Sequence, residues 1–84
     1  MATEKTRAES WLRREVSNAP RPLPRGRFPL ILQYAETAGF SRDTLLDALD
    51  EWLHFGFCRI VEQVSQDIEV MPEGEAYFYR RREE

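Results

Sequence analysis

The feature that most limits how this chain can fold is a very short connection between two helical patterns, at residues 39–41. The first pattern opens with Pro29, which suits the first turn of a helix, and its apolar residues continue on one broad face up to Gly39. Gly39 supplies the left-handed conformation that commonly ends a helix, and Ser41 is a favoured cap for the next one. Two helices joined by so few residues must cross at a steep angle.

The second pattern predicts a helix that begins after Ser41, closes at Gly56, and has one apolar side and one acidic side. On a helical wheel the apolar arc consists of Leu45, Leu46, Leu49, Trp52 and Leu53. These side chains should pack inward, so the residues expected to point outward are Asp43, Asp47, Asp50, Glu51 and His54. His54 lies near the helix C-terminus, where a cation is mildly favoured, and this role is preferred over that of a catalytic base.

A third helical pattern lies near the start of the chain and is followed by a proline-rich link. Thr6 and Glu9 have the spacing of a capping box, and apolar residues at helical spacing predict a helix over about residues 4–18. The link, residues 19–29, contains four prolines and one glycine, so it cannot continue the helix. We expect it to cross the surface as an extended segment.

Beyond Gly56 the apolar pattern alternates, which predicts two strands at about residues 57–63 and 67–71. Ser65 and Gln66 would form the tip of the hairpin between them. Pro72 ends the second strand. Residues 72–82 favour a short helix, because acids precede arginines as the helix dipole prefers, although a third strand through this stretch is an alternative.

Composition indicates one small folded domain spanning residues 1–84. The chain has 84 residues, of which 42% are hydrophobic and 12% are aromatic, so it can build a single core but not two. No apolar run approaches the roughly 20 residues that a membrane-spanning helix needs, and charged residues interrupt every candidate signal sequence. These observations predict a cytoplasmic protein that does not contact a membrane.

The sequence contains no pattern typical of an enzyme or of a cofactor site. The single cysteine, Cys58, has no partner for a disulfide and no histidine cluster for a metal, and in an apolar strand it is expected to be a small buried hydrophobic residue. A glycine-rich phosphate loop and a nucleophile with a convergent base are likewise missing from the sequence. We therefore expect no catalytic residue, no metal and no cofactor.

The net charge of −3 conceals an uneven distribution along the chain. Residues 1–27 contain seven basic and three acidic residues, a net charge of +4. Residues 28–79 contain two basic and ten acidic residues, a net charge of −8. The folded molecule should therefore be electrostatically polarised.

One run of the chain, ILQYAETAGFSRDTLLDALDEW, resembles the winged helix-turn-helix superfamily. The residues that carry the likeness are Ala35, Gly39, Ser41, Thr44 and Leu45. The stretch IEVMPEGEAYF is similar to the wing exit of multiple-antibiotic-resistance-type repressors, and AESWLRREV is similar to the winged-helix tails of plasmid and phage replication proteins. The likeness covers about residues 8–79. It implies a mainly α fold with a small β-hairpin (α+β), in which three helices precede a two-stranded wing and a short C-terminal helix.

The resemblance also implies DNA binding, with the third helix in the major groove, but the acidic side of that helix opposes this role. Proteins that bind DNA draw much of their affinity from neutralising phosphates with basic side chains. Only Arg42, at the start of the helix, could read a guanine edge.

Two hypotheses reconcile the resemblance with the charge. In the leading one, a small transcription or replication regulator holds double-stranded DNA through peripheral arginines and through the link, which acts as an arm in the minor groove. The predicted DNA-binding residues are Arg13, Arg14, Arg21, Arg25, Arg27 and Arg42, with Arg80, Arg81 and Arg82 at the tail. In the alternative, the protein is an adaptor or phage-type inhibitor that docks on a basic protein surface through Asp43, Asp47, Asp50 and Glu51.

Two further interpretations concern the surface. Acidic side chains on a small domain often serve only to keep it hydrated, so the acidic side of the third helix need not bind anything. Tyr77, Phe78 and Tyr79 form an aromatic cluster that predicts core packing or a homodimer formed through the C-terminal segment.

Overall fold

A computed structural model describes residues 3–79. Their elements are α1 (Glu4–Asn18), α2 (Arg27–Thr37), α3 (Arg42–His54), β1 (Cys58–Glu62), β2 (Asp67–Val70) and α4 (Pro72–Tyr79). The two strands form one antiparallel hairpin. The predicted layout of three helices, a hairpin and a C-terminal helix is therefore confirmed.

Helix α1 has the predicted bounds, but its cap is not the predicted one. The Thr3 side chain accepts a hydrogen bond from the Thr6 backbone N–H at 3.1 Å. Thr3 has an extended backbone, as a residue that precedes a helix should, whereas Thr6 already lies inside the first turn. The capping box placed at Thr6 is therefore wrong by one turn.

Helix α2 begins earlier than predicted, so the link ends at residue 26 rather than 29. Gly26 turns the chain with a positive φ of 81°, and Arg27 is the first helical residue. Gly26 has no side chain with which to cap the helix, and its backbone N–H instead donates to the Asp67 carboxylate at 2.7 Å. Arg27, predicted to lie on the link, therefore belongs to a helix.

The turn between α2 and α3 follows the sequence prediction closely. Gly39 has a positive φ of 112°, and the Phe40 backbone N–H donates to the Ala35 carbonyl at 3.1 Å. The Ser41 hydroxyl caps α3 by accepting a hydrogen bond from the Thr44 N–H at 3.2 Å. The buried side chains of α3 are Leu45, Ala48, Leu49 and Trp52. All five residues predicted to point outward are exposed.

The hairpin is close to its predicted position, and each strand is slightly shorter than predicted. Cys58 lies opposite Val70 and Ile60 lies opposite Ile68, with a register irregularity between residues 60 and 62. Gln66 takes a positive φ of 65° in the turn, a conformation that a non-glycine residue adopts only occasionally.

The segment after the hairpin is helical from Pro72 to Tyr79, so the preferred helix is confirmed over the strand for the described part of residues 72–82. The α4 helix packs directly on the backbone at Phe57, where a Cβ atom on Gly74 would lie 1.9 Å from the carbonyl oxygen. Phe78 is buried edge-on against Trp52, with 4.7 Å between ring centroids. Trp52 also contacts Phe28, which places it at the centre of the core.

Candidate functional site

The outward side of α3 carries four exposed carboxylates, which we call the acidic face: Asp43, Asp47, Asp50 and Glu51. They point outward because the leucines and the tryptophan of the helix fill the core. Within residues 3–79, Asp43, Asp47 and Asp50 form no ion pair. The acidic face predicted from the sequence is therefore present as a surface, with most of its charge uncompensated by the described part of the chain.

Glu51 differs from the other members of the acidic face because it has a partner on α1. Its carboxylate lies 2.8 Å from the Lys5 ammonium. The hydrogen bond with Glu51 raises the pKa of Lys5 above its usual value, and the charges of Glu51 and Asp47 act in the same direction. Both partners are about half exposed, so the pair adds little to stability. It marks the edge where α1 borders the acidic face.

Arg13 and Arg21, two of the predicted DNA-binding residues, are engaged with α4. The Arg13 Nε donates to the Tyr77 carbonyl at 3.0 Å, and its guanidinium lies 4.2 Å from the centroid of the Tyr77 ring. The Arg21 guanidinium lies 4.1 Å from the centroid of Tyr79 and 3.4 Å from the Glu75 carboxylate. These arginines hold α1 and the link against α4.

The other predicted DNA-binding arginines are divided between those with and those without an ion pair within residues 3–79. Arg42 forms an ion pair with Glu36 at 2.8 Å, which joins the start of α3 to the end of α2. Arg14 and Arg25 are exposed and Arg27 is partly buried, and none of the three forms an ion pair within residues 3–79. The tail arginines at 80–82 lie outside the described residues.

A cavity of about 380 Å³, which we call the aromatic groove, opens beside the C-terminal end of α3. Its charged lining consists of Lys5, Glu9 and Glu51, and its rings are those of Trp52, Phe55, Phe57 and Tyr77. Sequence reasoning did not identify this groove, because its lining comes from α1, α3, the turn after α3 and α4. The one local signal was Phe55, an apolar residue outside the inward arc of α3, and its exposed fraction is 58%.

A second cavity, of about 340 Å³, lies on the outer side of α1. Arg7, Trp11 and Arg14 line it along α1, and Phe40 contributes from the turn before α3. Both arginines are exposed, and the Trp11 ring lies 6.2 Å from the Phe40 ring. Arg14 was among the predicted DNA-binding residues, whereas Arg7 was not.

Other chemistry is sparse in the part of the chain that the structure describes. No group of three or more histidine, cysteine or acidic side chains is placed there to share a metal ion. Cys58 is buried as predicted, and burial raises the pKa of its thiol to about 12, which makes it a poor nucleophile. None of the described helices combines the length and the apolar character needed to cross a membrane.

Comparisons of the chain with protein families, with curated proteins and with solved structures find no match.

Proposed function

We propose that this protein is a winged-helix interaction module that binds a basic surface of a partner protein through the acidic face of α3. The observation that carries the proposal is the exposure of all four carboxylates on the outer side of one helix. Three of them lack an ion-pair partner within residues 3–79. Such a surface attracts a positively charged partner, speeds its association and repels other acidic surfaces.

The same observation weighs against the hypothesis that α3 enters a DNA groove. The acidic face would meet a phosphate charge for about every 1.7 Å of duplex axis, and each carboxylate would add repulsion. Arg42, the residue of α3 suited to reading a guanine, is already paired with Glu36. The ring contacts of Arg13 and Arg21 with Tyr77 and Tyr79 restrict how far these two side chains can extend towards a phosphate.

The proposal is tested by reversing charge on the acidic face. A tagged protein carrying Asp47→Lys and Asp50→Lys is used to capture partners from the source cell, in parallel with the wild type. The matched control carries Glu62→Lys and Glu73→Lys, which change the net charge equally on exposed residues of β1 and α4. We expect the wild type and the control to retain the same partner and the α3 variant to lose it. Recovery of that partner by the α3 variant would contradict the proposal.

DNA binding by the periphery is the second candidate, and the arginines without ion pairs favour it. Among the predicted DNA-binding residues within 3–79, Arg14, Arg25 and Arg27 have neither a carboxylate partner nor a contact with a tyrosine ring. Fluorescence anisotropy with random duplex DNA at rising salt tests this candidate. Affinity that falls steeply with salt, and a slope that flattens when these three residues are changed to alanine, would place DNA ahead of a protein partner.

A further inference from the structure

A row of aromatic side chains lines the aromatic groove, and the ring at one end of the row, Phe55, is largely exposed. Phe57 stacks on Tyr77 with 4.3 Å between centroids and 15° between ring planes. Arg13 lies over the Tyr77 ring, so the molecule's own arginine contacts one end of the row. At the other end Phe55 lies 5.5 Å from Phe57 and keeps 58% of its surface exposed.

The charges around this exposed ring favour a cation. Glu51 precedes Phe55 by one helical turn, and both residues line the groove together with Glu9. Lys5 offsets one of the two carboxylates, and the remaining carboxylates of the acidic face continue along the same helix. An aromatic ring face attracts cations, and a carboxylate can receive two parallel hydrogen bonds from a guanidinium.

Lys5 occupies the position that an incoming cation would take. Its ammonium is 2.8 Å from Glu51, and the pair is exposed enough to open without unfolding α1. An ammonium is a compact, strongly hydrated charge, whereas a guanidinium is planar, less strongly hydrated and able to stack on a ring. A guanidinium from outside could therefore replace Lys5 at Glu51 and also cover Phe55.

We propose that the aromatic groove binds an arginine side chain of the partner protein, with Phe55 covering the guanidinium and Glu51 accepting its hydrogen bonds in place of Lys5. This inference rests on the proposed function, because the groove lies at the end of the acidic face. The arginine acts as the anchor of the interface, while the carboxylates along α3 attract the surrounding basic surface. Arginine, tryptophan and tyrosine are the residues that most often anchor protein interfaces.

The test uses a nine-residue synthetic peptide of alternating glycine and arginine, followed by NMR of the isotope-labelled whole chain. A matched peptide has citrulline, which lacks the charge, at each arginine position. The chain has two tryptophans, and the two indole N–H signals report on different places. Trp52 lines the aromatic groove and donates its indole N–H to Glu9 at 2.9 Å, whereas Trp11 lies in the cavity on α1.

We expect the arginine peptide to shift the Trp52 indole signal and the amides of residues 51–57, without shifting the Trp11 signal. Phe55→Ala and Phe55→Leu should each weaken binding by at least about threefold, because leucine keeps the apolar bulk but not the ring face. Lys5→Met should strengthen binding because it removes the internal competitor. Val64→Ala, at an exposed apolar residue of the hairpin turn, should have no effect.

Three outcomes would overturn the inference. One is that the arginine peptide does not bind, or binds no better than the citrulline peptide. Another is that it shifts Trp11 instead of Trp52. The third is that it shifts only the amides of the acidic face and binds the Phe55 variants as tightly as the wild type. In each case the capture experiment with the α3 charge reversal still decides the proposed function separately.

Discussion

At the scale of single residues, Gly74 is required by a neighbouring carbonyl group. A Cβ atom there would lie 1.9 Å from the Phe57 oxygen, and that oxygen cannot easily move because it accepts a hydrogen bond from the Met71 N–H at 2.9 Å. In an exposed helix, glycine to alanine would stabilise by up to about 1 kcal/mol. Here we expect Gly74→Ala to lower the free energy of unfolding by about 1–3 kcal/mol, because the helix must shift away from the Phe57 backbone.

Urea unfolding followed by circular dichroism measures this change. The matched control is Ala76→Gly, an exposed position in the same helix, which should lose no more than about 1 kcal/mol through helix propensity alone. A Gly74→Ala variant that is as stable as the wild type, or more stable, would contradict the close contact between α4 and Phe57.

Trp52 is almost fully buried, and its indole N–H has a single acceptor in the described structure, the Glu9 carboxylate at 2.9 Å. Glu9→Leu would leave that donor without a partner, and we expect the free energy of unfolding to fall by about 1–3 kcal/mol. Glu9→Gln keeps an acceptor oxygen and should lose much less. Thermal unfolding of the two variants makes the comparison, and equal losses would show that the hydrogen bond contributes little.

Cys58 should make stability depend on pH in the alkaline range. Burial raises the pKa of its thiol from 9.0 to about 12, so the unfolded chain loses this proton at a lower pH than the folded chain does. The contribution is fully present below pH 9.0 and is lost as pH rises towards 12, with a slope of at most about 1.4 kcal/mol per pH unit.

Urea unfolding of the wild type and of Cys58→Ala between about pH 8 and about pH 10 tests this dependence. The pKa values of Tyr79 and Lys5 are also raised, but from ordinary values of 10.0 and 10.5, so their effects begin at higher pH. The stability difference between wild type and variant should therefore narrow as pH rises above 9.0. A constant difference would contradict the burial of this thiol.

The exposure of a side chain could be predicted from the sequence where it depends on a single helix or strand. Contacts between segments that are distant in the sequence could not be predicted. Helical periodicity alone predicted that Asp47 and Asp50 would be exposed. The contact of Arg13 with Tyr77 joins residues 64 positions apart, and no local sequence pattern indicates it. The sequence showed that Arg13 and Arg21 were basic, but not that tyrosine rings would hold them.

At the scale of elements, Asp67 connects three parts of the fold. It is the first residue of β2 and is 5% exposed, and its two carboxylate oxygens accept from the Gly26 N–H at 2.7 Å and from the Ile68 N–H at 3.1 Å. The hairpin is therefore tied to the end of the link and to the start of α2. Asp67→Ala should lower the free energy of unfolding by about 1–3 kcal/mol, because the part-buried Gly26 donor and the buried Ile68 donor both lose their acceptor.

The same substitution should also loosen the link. Limited proteolysis is expected to cut residues 19–26 sooner in Asp67→Ala than in the wild type. The reason is that the variant lacks the hydrogen bond that holds Gly26 against β2. Asp67→Asn keeps one acceptor oxygen and should fall between the two. Glu69→Ala, at an exposed position on the same strand, is the control and should leave the cleavage pattern unchanged. Equal cleavage of Asp67→Ala and wild type would show that the Asp67 carboxylate does not hold the link in place.

Elements with strong local signals were predicted better than elements that depend on tertiary contacts. The bounds of α3 follow from Ser41 and from its apolar period. The start of α2 was predicted too late, because the residue before it, Gly26, has no capping side chain and is held instead by Asp67, 41 residues further along the chain. The aromatic groove was missed for the same reason, since α1, α3 and α4 each contribute part of its lining.

At the scale of the whole molecule, the uneven charge of the sequence becomes two different surfaces. The acidic face lies on α3, whereas the exposed arginines of the cavity with Trp11 lie on α1. Several basic residues that seemed available in the sequence neutralise acids of the same chain, as Arg42 does for Glu36. Each such pair removes one basic and one acidic group, so the net charge is unchanged, and the exposed carboxylates of α3 remain mostly unpaired within residues 3–79.

The oligomeric state is a property of this same scale. The homodimer predicted through the C-terminal aromatic segment needs rings that are accessible to a second copy. Phe78 is 3% exposed, and Tyr77 and Tyr79 are partly buried beneath Arg13 and Arg21. These contacts use the aromatic cluster within one chain, so we expect a monomer.

Sedimentation equilibrium of the whole chain across micromolar concentrations should therefore give the mass of one copy, 9.9 kDa. A stable interface buries about 800 Å² on each partner. Among residues 3–79, the exposed large apolar side chains are Leu30, Tyr34, Phe55 and Val64, and no single element offers more than two of them. A dimer mass would contradict this prediction. The variant Leu30→Ser with Tyr34→Ser would then show whether the outer side of α2, where these two residues lie one turn apart, forms the contact.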